Sequence, residues 1–234
     1  GTYRLTRTVY VWPGIRLIGY GDSRPVFRLA ESTPGFQEGA GKYMFFFSGG
    51  RGFGPNAGGP PQDGNPGTFY SAMSNIDIEI GPGNPAAVGV RFHVAQHCYL
   101  AHMDFRLGSA RAGLEDIGNE VEDLHFTGGQ YGITTRRSAP GWPILVIDCT
   151  FEEQRVAAIG DREAGLTLVR PQFRNVPTAV SIVPGSPEQL WISDARFESI
   201  TGGAIVVSDE DSARTQINLQ NVACKNVPVL ASFR

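Results

Sequence analysis

A short pattern recurs seven times between about residue 75 and the C-terminus. Each copy contains an apolar strand, a polar kink and a second apolar strand that opens near Gly or Ala. The residues that close the first strands of the later copies are Phe105, Phe126, Phe151, Phe173, Phe197 and Cys224, at intervals of 21, 25, 22, 24 and 27 residues. A repeat of this length without helical spacing indicates a solenoid, and strands this short in coils of about 24 residues indicate a parallel β-helix.

The expected fold is therefore all-β, a parallel β-helix of about 8–9 coils that forms a single domain over residues 1–234. Residues 1–30 contain further short apolar segments, which we expect to add one or two coils. Residues 31–68 break the pattern. A long Gly/Pro-rich stretch near 48–68 predicts a loop over the surface, and the aromatic segment Tyr43–Phe47 before it predicts a strand.

Charge and hydropathy exclude several classes of partner. The chain has 20 Lys and Arg against 23 Asp and Glu, a net charge of −3 and a pI near 5.8. Nucleic acid and anionic membranes require a basic stripe, so neither is an expected partner. No run of 18 apolar residues exists to span a membrane.

Both ends of the sequence fall inside strand patterns, with no amphipathic helix to cap the solenoid. Uncapped ends expose apolar core and unpaired strand edges. We therefore expect a piece of a longer polypeptide, in which a second β-helix domain or a capping segment covers the ends. A leader removed from a mature secreted or periplasmic protein is consistent with this opening.

Three cysteines, Cys98, Cys149 and Cys224, lie far apart in the sequence. Cys149 and Cys224 occur in apolar strand segments, where we expect both thiols to be buried in the core. No CxxC pair or His–Cys cluster occurs. The sequence therefore predicts no metal site and no cofactor.

Residues 1–30 resemble the opening of the pectate-lyase-3-like superfamily, whose fold is a right-handed, single-stranded parallel β-helix. Residues 87–133 resemble the N-terminal helix of glycoside hydrolase family 55, the exo-β-1,3-glucanase-like proteins. The matching residues are Gly89, Val90, Phe92, Val94, Ala95 and Gln96, then Asp123, Leu124, Phe126, Gly128, Gly129 and Gly132. Phe92 stands where that family has Trp. The resemblance implies a tandem of two helices with a catalytic Glu in the second, so residues outside this chain would complete the active site.

The second strands of the repeat predict one outward ladder of side chains, because residues alternate between the two faces of a strand. The ladder reads Arg91, Glu115, Thr134, Gly160, Ser181 and Val206. Other outward candidates nearby are His93, Asp116, Arg136, Asp161 and Arg162. The titratable end lies in the N-terminal half, so a sugar-binding groove is expected there.

Glycoside hydrolysis usually requires two carboxyl groups. Glu115 is the predicted acid and Asp161 the predicted base, about 9–10 Å apart if their coils stack in register. The predicted substrate-binding residues are Arg91, His93, Gln96, Asp116, Arg136 and Trp142. The last lies in a loop, where an aromatic ring suits stacking on a sugar.

A structural interpretation competes with this one. In it, Glu115, Asp116 and Asp161 are turn or solvent-facing carboxylates that pair with Arg91, Arg136 or Arg162, since networks of ion pairs imitate functional sites.

The favoured function is a β-helix domain of a carbohydrate-active enzyme, a glycoside hydrolase that acts on a β-glucan-like or pectin-like polysaccharide or oligosaccharide. One alternative is a non-catalytic polysaccharide-binding or tailspike-like β-helix. Another is a pectin-type lyase, which uses acidic residues to hold Ca²⁺ and a base to abstract a proton. The tight acidic cluster Asp209–Asp211 has no basic residue beside it.

Overall fold

The computed structural model of the chain describes residues 1–52, 57–208 and 212–233. Regular secondary structure in these residues is entirely β, and the strands form two parallel sheets of nine and fifteen strands. Each coil contributes one strand to the smaller sheet, so the chain winds through nine coils. The predicted all-β parallel solenoid is confirmed. No helix among the described residues is long and apolar enough to cross a membrane.

Sheet 1 is the nine-stranded sheet and forms one flat side of the solenoid. Its strands are β2 (Val9–Val11), β5 (Lys42–Phe47), β8 (Ala87–Arg91), β10 (Ala112–Glu115), β12 (Tyr131–Arg136), β15 (Ala157–Arg162), β18 (Val180–Ile182), β21 (Gly203–Val207) and β24 (Val229–Phe233). The predicted strand over Tyr43–Phe47 is therefore present as β5.

Sheet 2 is bent along its length into two further sides, 2a and 2b. Sheet 2a contains β3 (Arg16–Ile18), β6 (Ala72–Ser74), the first halves of β9 (Tyr99–Arg106) and β11 (Glu120–Thr127), β13 (Ile144–Ile147), β16 (Leu166–Val169), β19 (Gln189–Ser193) and β22 (Gln216–Gln220). Sheet 2b contains β1 (Thr2–Leu5), β4 (Val26–Leu29), β7 (Asp77–Ile80), the second halves of β9 and β11, β14 (Thr150–Glu152), β17 (Gln172–Arg174), β20 (Arg196–Glu198) and β23 (Ala223–Lys225).

In seven successive coils, a single left-handed residue makes the bend between sheets 2a and 2b. These residues are Asn75, His102, Asp123, Asp148, Arg170, Asp194 and Asn221, with φ between 50° and 55°. Asn, Asp and His adopt this conformation more readily than other L-residues, which explains the polar kink in the repeat. Arg170 is stabilised differently, since its guanidinium contacts both oxygens of Asp148 in the preceding coil, at 2.6 and 2.7 Å.

A column of buried phenylalanines runs through the interior behind sheet 2b. Phe105, Phe126, Phe151, Phe173 and Phe197 stack with ring centroids 4.8–5.1 Å apart and planes within 22° of parallel. Their spacing matches the separation of neighbouring parallel strands, so each coil adds one ring to the column. The predicted stack of closing aromatics is present.

Two of the three cysteines are buried and the third is exposed. Cys149 is buried, and burial raises the pKa of its thiol to about 12. Cys98 is also buried. The expectation that Cys224 is a core residue is wrong, because this thiol is exposed. It pairs with Phe197 on one side, in the last coil of the described chain, so no further ring covers its other side.

The described residues of the Gly/Pro-rich loop fold back over the outer face of sheet 1, and the sequence predicts a loop that lies over the surface. Ser48 and Asp63 form an antiparallel bridge that closes the base of the loop. At Gly64, an added Cβ would lie 2.8 Å from the His93 carbonyl oxygen and 3.1 Å from that of Phe47. The absence of a side chain there lets the loop pack directly on the backbone and brings Asp63 to the sheet.

Loss of one ring should strongly destabilise the solenoid. Phe151→Ala removes a ring that is stacked on both sides, and we expect a loss of about 3–5 kcal/mol in the free energy of unfolding. Phe69→Ala is the matched control, since this ring is 38% exposed and should cost about 0.5 kcal/mol or less. Urea denaturation measures both. Equal losses in the two variants would refute the role of the column.

Candidate functional site

The outer face of sheet 1 carries the ladder predicted from the repeat. The recorded pairings place the following residues side by side in successive coils: Arg91, Glu115, Thr134, Gly160, Ser181 and Val206. The register is therefore as expected at every step. Because the coils are in register, charged residues 24 positions apart in the sequence become direct neighbours on the surface.

Arg91 is the centre of a network of charged side chains at the N-terminal end of this ladder. Its guanidinium lies 3.0 Å from Glu115 Oε1, 2.9 Å from Asp116 Oδ2 and 2.5 Å from Asp63 Oδ2. Only 8% of the residue is exposed. Burial alone would lower the pKa of Arg91, but Asp63 and Asp116 outweigh that effect and raise it above the ordinary value. Arg91 is thus a fixed cation.

Glu115 and Asp116 are neighbours in sequence, yet both contact Arg91. Strict alternation would turn Asp116 to the interior. The strand ends at Glu115, and Asp116 adopts φ +53°, so its carboxylate reaches both Arg91 and the Arg136 Nε atom at 3.0 Å. The left-handed conformation of Asp116 therefore places a second carboxylate beside that of Glu115 on this face.

Tyr43, in the coil before Arg91, anchors Glu115 from the other side. Its hydroxyl donates a hydrogen bond of 2.5 Å to Glu115 Oε1. Burial and this carboxylate together raise the pKa of Tyr43 to about 12. The Arg91 guanidinium also lies over the rings of Tyr43 and Phe46, at 5.5 and 5.6 Å from their centroids. Glu115 Oε1 is consequently held by two donors.

Asp63 and His93 form a second arm of the network. His93 Nδ1 lies 2.8 Å from Asp63 Oδ1, so this nitrogen donates its proton to the carboxylate. Burial would raise the pKa of Asp63, but the hydrogen bonds from His93 and Arg91 hold it well below its usual value. His93 Nε2 is buried without a hydrogen-bond partner among the described residues. His93 thus holds Asp63 in place beside Arg91, and its second nitrogen is buried.

A cavity of about 520 Å³ opens along the face beside this network. Its lining includes Arg91, Arg111, Glu115, Asp116, Tyr131, Thr134, Arg136, Gly160, Arg162 and Ser181. These residues come from five successive strands of sheet 1, so the cavity runs along the solenoid axis rather than around it. The cavity lies over the N-terminal half of the ladder, where the sequence predicts a groove; that it binds a sugar stays a prediction.

Asp161 is not part of this groove, and the prediction that it faces outward is wrong. It is in register with the buried residues Thr135 and Ile182, and its own exposure is 0%. Gly160 occupies the outward position before it, so alternation turns Asp161 inward. Its partner there is Glu188, and burial together with this second carboxyl raises the pKa of Asp161 well above its usual value.

The remaining predicted site residues do not all lie in the network around Arg91. Arg136 belongs to the network, whereas Gln96 lies in the turn between β8 and β9, outside it. Trp142 lies in the loop after β12 and lines a different cavity. Glu115 and Asp116 pair with arginines, as the structural interpretation expects, whereas Asp161 pairs with Glu188.

Asp63, Tyr43 and Glu188 were not predicted. Asp63 belongs to the Gly/Pro-rich loop and Glu188 to a turn, where no periodic pattern indicates which surface a side chain meets. Tyr43 had a usable signal. It occupies the aromatic strand that the sequence predicts, and its alignment with Val88 places it beside the ladder.

No group of three His, Cys, Asp or Glu residues within 1–52, 57–208 and 212–233 has the geometry to hold a metal ion. The acidic cluster Asp209–Asp211 lies outside the described residues.

A family model described as rhamnogalacturonase A/epimerase, pectate lyase-like, matches residues 1–181 of the 234. The chain belongs to this family. The match agrees with the nine-coil parallel solenoid and confirms the resemblance to the pectate-lyase-like β-helix superfamily. It indicates a carbohydrate-active β-helix domain. No curated protein matches the chain.

The buried pair of carboxyls predicts a pH-dependent stability. Because the folded state raises the pKa of Asp161, it binds the proton more tightly than the unfolded chain does, and this stabilisation is lost as pH rises through that pKa. Asp161→Asn keeps the shape and donates an N–H to Glu188. Because Asn does not titrate, we expect the unfolding free energy of the variant to gain about 1–3 kcal/mol on wild type as the pH rises from about 4 to neutral. Thermal unfolding across this range measures the difference, and identical pH profiles would contradict it.

Proposed function

We propose that the chain binds a polysaccharide in the groove on sheet 1 and acts on it as a glycoside hydrolase, with Glu115 as the acid. The observation that carries the proposal is the network of Arg91, Glu115 and Asp116 at the wall of a 520 Å³ cavity, in a member of a pectate-lyase-like family. Concave sites with a few fixed polar groups are the usual form of ligand sites.

The shape of the groove suits an extended polymer. Its lining spans five strands of sheet 1, and four inter-strand steps correspond to roughly 19 Å along the axis. Arginine, threonine, serine and carboxylate side chains alternate along it, which supplies donors and acceptors for hydroxyl groups. A chain of sugars lying parallel to the solenoid axis would meet these groups in succession.

The contacts of Glu115 separate its two oxygens by role. Oε1 is held by Tyr43 and Arg91, whereas Oε2 has a looser contact, 3.7 Å from Arg111 Nε. The anchored oxygen fixes the orientation of the carboxyl, and Oε2 is the atom that would take up a proton from solvent and pass it to the glycosidic oxygen. Asp116 lines the same cavity and takes the place of Asp161 as the second carboxyl of the proposal.

The state of Arg91 argues against this residue as the base of a lyase. A lyase needs a group that can give up its proton and then abstract one from the sugar. Asp63 and Asp116 raise the pKa of Arg91 above its already high value, which makes this guanidinium unsuited to act as that base.

The predicted secreted or periplasmic location is consistent with a polysaccharide substrate and stays a prediction.

Glu115→Gln tests the proposal. It retains the hydrogen bond from Tyr43 but cannot supply a proton, so the rate of reducing-end release from β-1,3-glucan or polygalacturonate should fall by at least about 100-fold. The matched control is Glu152→Gln on sheet 2b, where the carboxylate also contacts an arginine, Arg174, but faces away from the groove. Its activity should equal that of wild type.

Three outcomes would contradict the proposal: unchanged activity in Glu115→Gln, equal losses in both variants, or wild type that binds neither polymer in affinity electrophoresis. Binding without any release of reducing ends would favour the non-catalytic β-helix. Unsaturated products with ultraviolet absorbance would favour the lyase.

A further inference from the structure

A second cavity, of about 490 Å³, lies where the chain passes from sheet 1 to sheet 2a. Its wall is formed by the loops that follow β12, β15 and β18, together with the outer face of β19. It is lined by a different set of residues from the groove on sheet 1, with none in common. The roles proposed for Glu115 do not depend on this second cavity.

Two tryptophans give this cavity an aromatic wall. The Trp142 indole N–H donates to the carbonyl oxygen of Gly118, which fixes the ring in its loop. Trp191 projects outward from β19 and is 45% exposed. Its neighbours in the same ladder are Thr167 and Asn218, so the exposed ring is flanked by hydrogen-bonding groups in the coils on both sides. An aromatic face bordered by polar side chains suits one face of a sugar ring.

Two arginines at the cavity share one carboxylate. Arg137 Nη1 and Arg214 Nη1 lie 3.0 and 2.7 Å from the same oxygen, Glu163 Oε1. Two guanidiniums against a single carboxylate leave one net positive charge and several free N–H donors at this point. Guanidinium groups bind carboxylates well because their parallel donors match the two oxygens. The cluster is therefore suited to a second, external carboxylate.

A buried carboxyl holds the wall in place. Glu188 Oε1 accepts hydrogen bonds from the backbone N–H groups of Gly165 and Leu166, at 2.8 and 2.9 Å. Its other oxygen is buried and faces Asp161, with no donor among the described residues. Two carboxyls buried in contact are stable only if they share a proton, since like charges at this range repel strongly. Glu188 is thus a positioning residue for the loop that carries Glu163.

We propose that this cavity is a second carbohydrate-binding site, which takes a uronic acid unit of an oligosaccharide. The sugar ring stacks on Trp191, and the uronate carboxylate binds the free N–H groups of Arg137 and Arg214. The inference goes beyond the proposed hydrolase, because it concerns another cavity and requires no reaction there.

The test is calorimetric titration of the full chain with trigalacturonate, and with laminaritriose as the neutral probe. Trp191→Ala should weaken trigalacturonate binding at least tenfold, and Arg214→Gln at least fivefold. Trp12→Ala is the matched control, since Trp12 is 37% exposed and also lies beside an arginine, Arg51, but is remote from the cavity. Its affinity should equal that of wild type. Laminaritriose should bind more weakly than trigalacturonate.

Several results would overturn the proposal: no saturable binding of trigalacturonate by wild type, equal effects of Trp191→Ala and Trp12→Ala, or tighter binding of laminaritriose. Because the groove on sheet 1 is itself proposed to bind polygalacturonate, wild type should show two classes of trigalacturonate site, of which Trp191→Ala and Arg214→Gln weaken only one. Loss of trigalacturonate binding in Glu115→Gln, with Trp191→Ala unaffected, would place the sugar in the groove instead and reject the second site.

Discussion

In-register stacking of the coils is the constraint on which the rest of this structure depends. A single coil is too thin to bury its apolar side chains by itself, so these side chains are buried against the coils above and below. The column from Phe105 to Phe197 is the clearest expression of this, with rings about 5 Å apart through five coils. Once the rings stack, the phase of every coil is fixed, and outward residues fall into equally regular ladders.

The functional geometry follows from that register. Arg91 contacts Glu115 because their coils are adjacent, and the same stacking brings Tyr43 from the coil before. A nearly buried guanidinium requires compensating charge, and it has three carboxylates, one of them supplied by the loop that carries Asp63. The network is therefore rigid before any ligand arrives, which is what positioning of a reactive carboxyl requires.

The side-chain positions of the periodic parts of the chain were predictable, whereas the side-chain contacts of the loops and turns were not. The ladder from Arg91 to Val206 follows from alternation alone, and the structure reproduces it residue by residue. The same alternation, applied to the residue after Gly160, would have turned Asp161 inward. Asp116 departs from alternation because its backbone is left-handed, and the repeat pattern did not indicate a left-handed residue at this position. Glu188 reaches Asp161 from a turn, and turns carry no period from which to infer a partner.

The two cavities illustrate what a solenoid offers a carbohydrate. The groove on sheet 1 uses ladder positions, so its groups repeat along the axis and suit an extended chain. The cavity at Trp142 and Trp191 uses the connecting loops, where side chains need not repeat and a single sugar unit can be recognised. Loops carry specificity on a scaffold that the ladders hold fixed.

A double-mutant cycle between Arg91 and Glu115 tests the central claim most directly, since these residues meet only if neighbouring coils stack in the described register. The substitutions are Arg91→Met and Glu115→Gln, alone and together, with the unfolding free energy measured in urea. Direct contact between the two side chains predicts a coupling energy of about 1–3 kcal/mol. Effects that add to within about 0.5 kcal/mol would show that the two side chains do not interact, and would contradict the register and the site built on it.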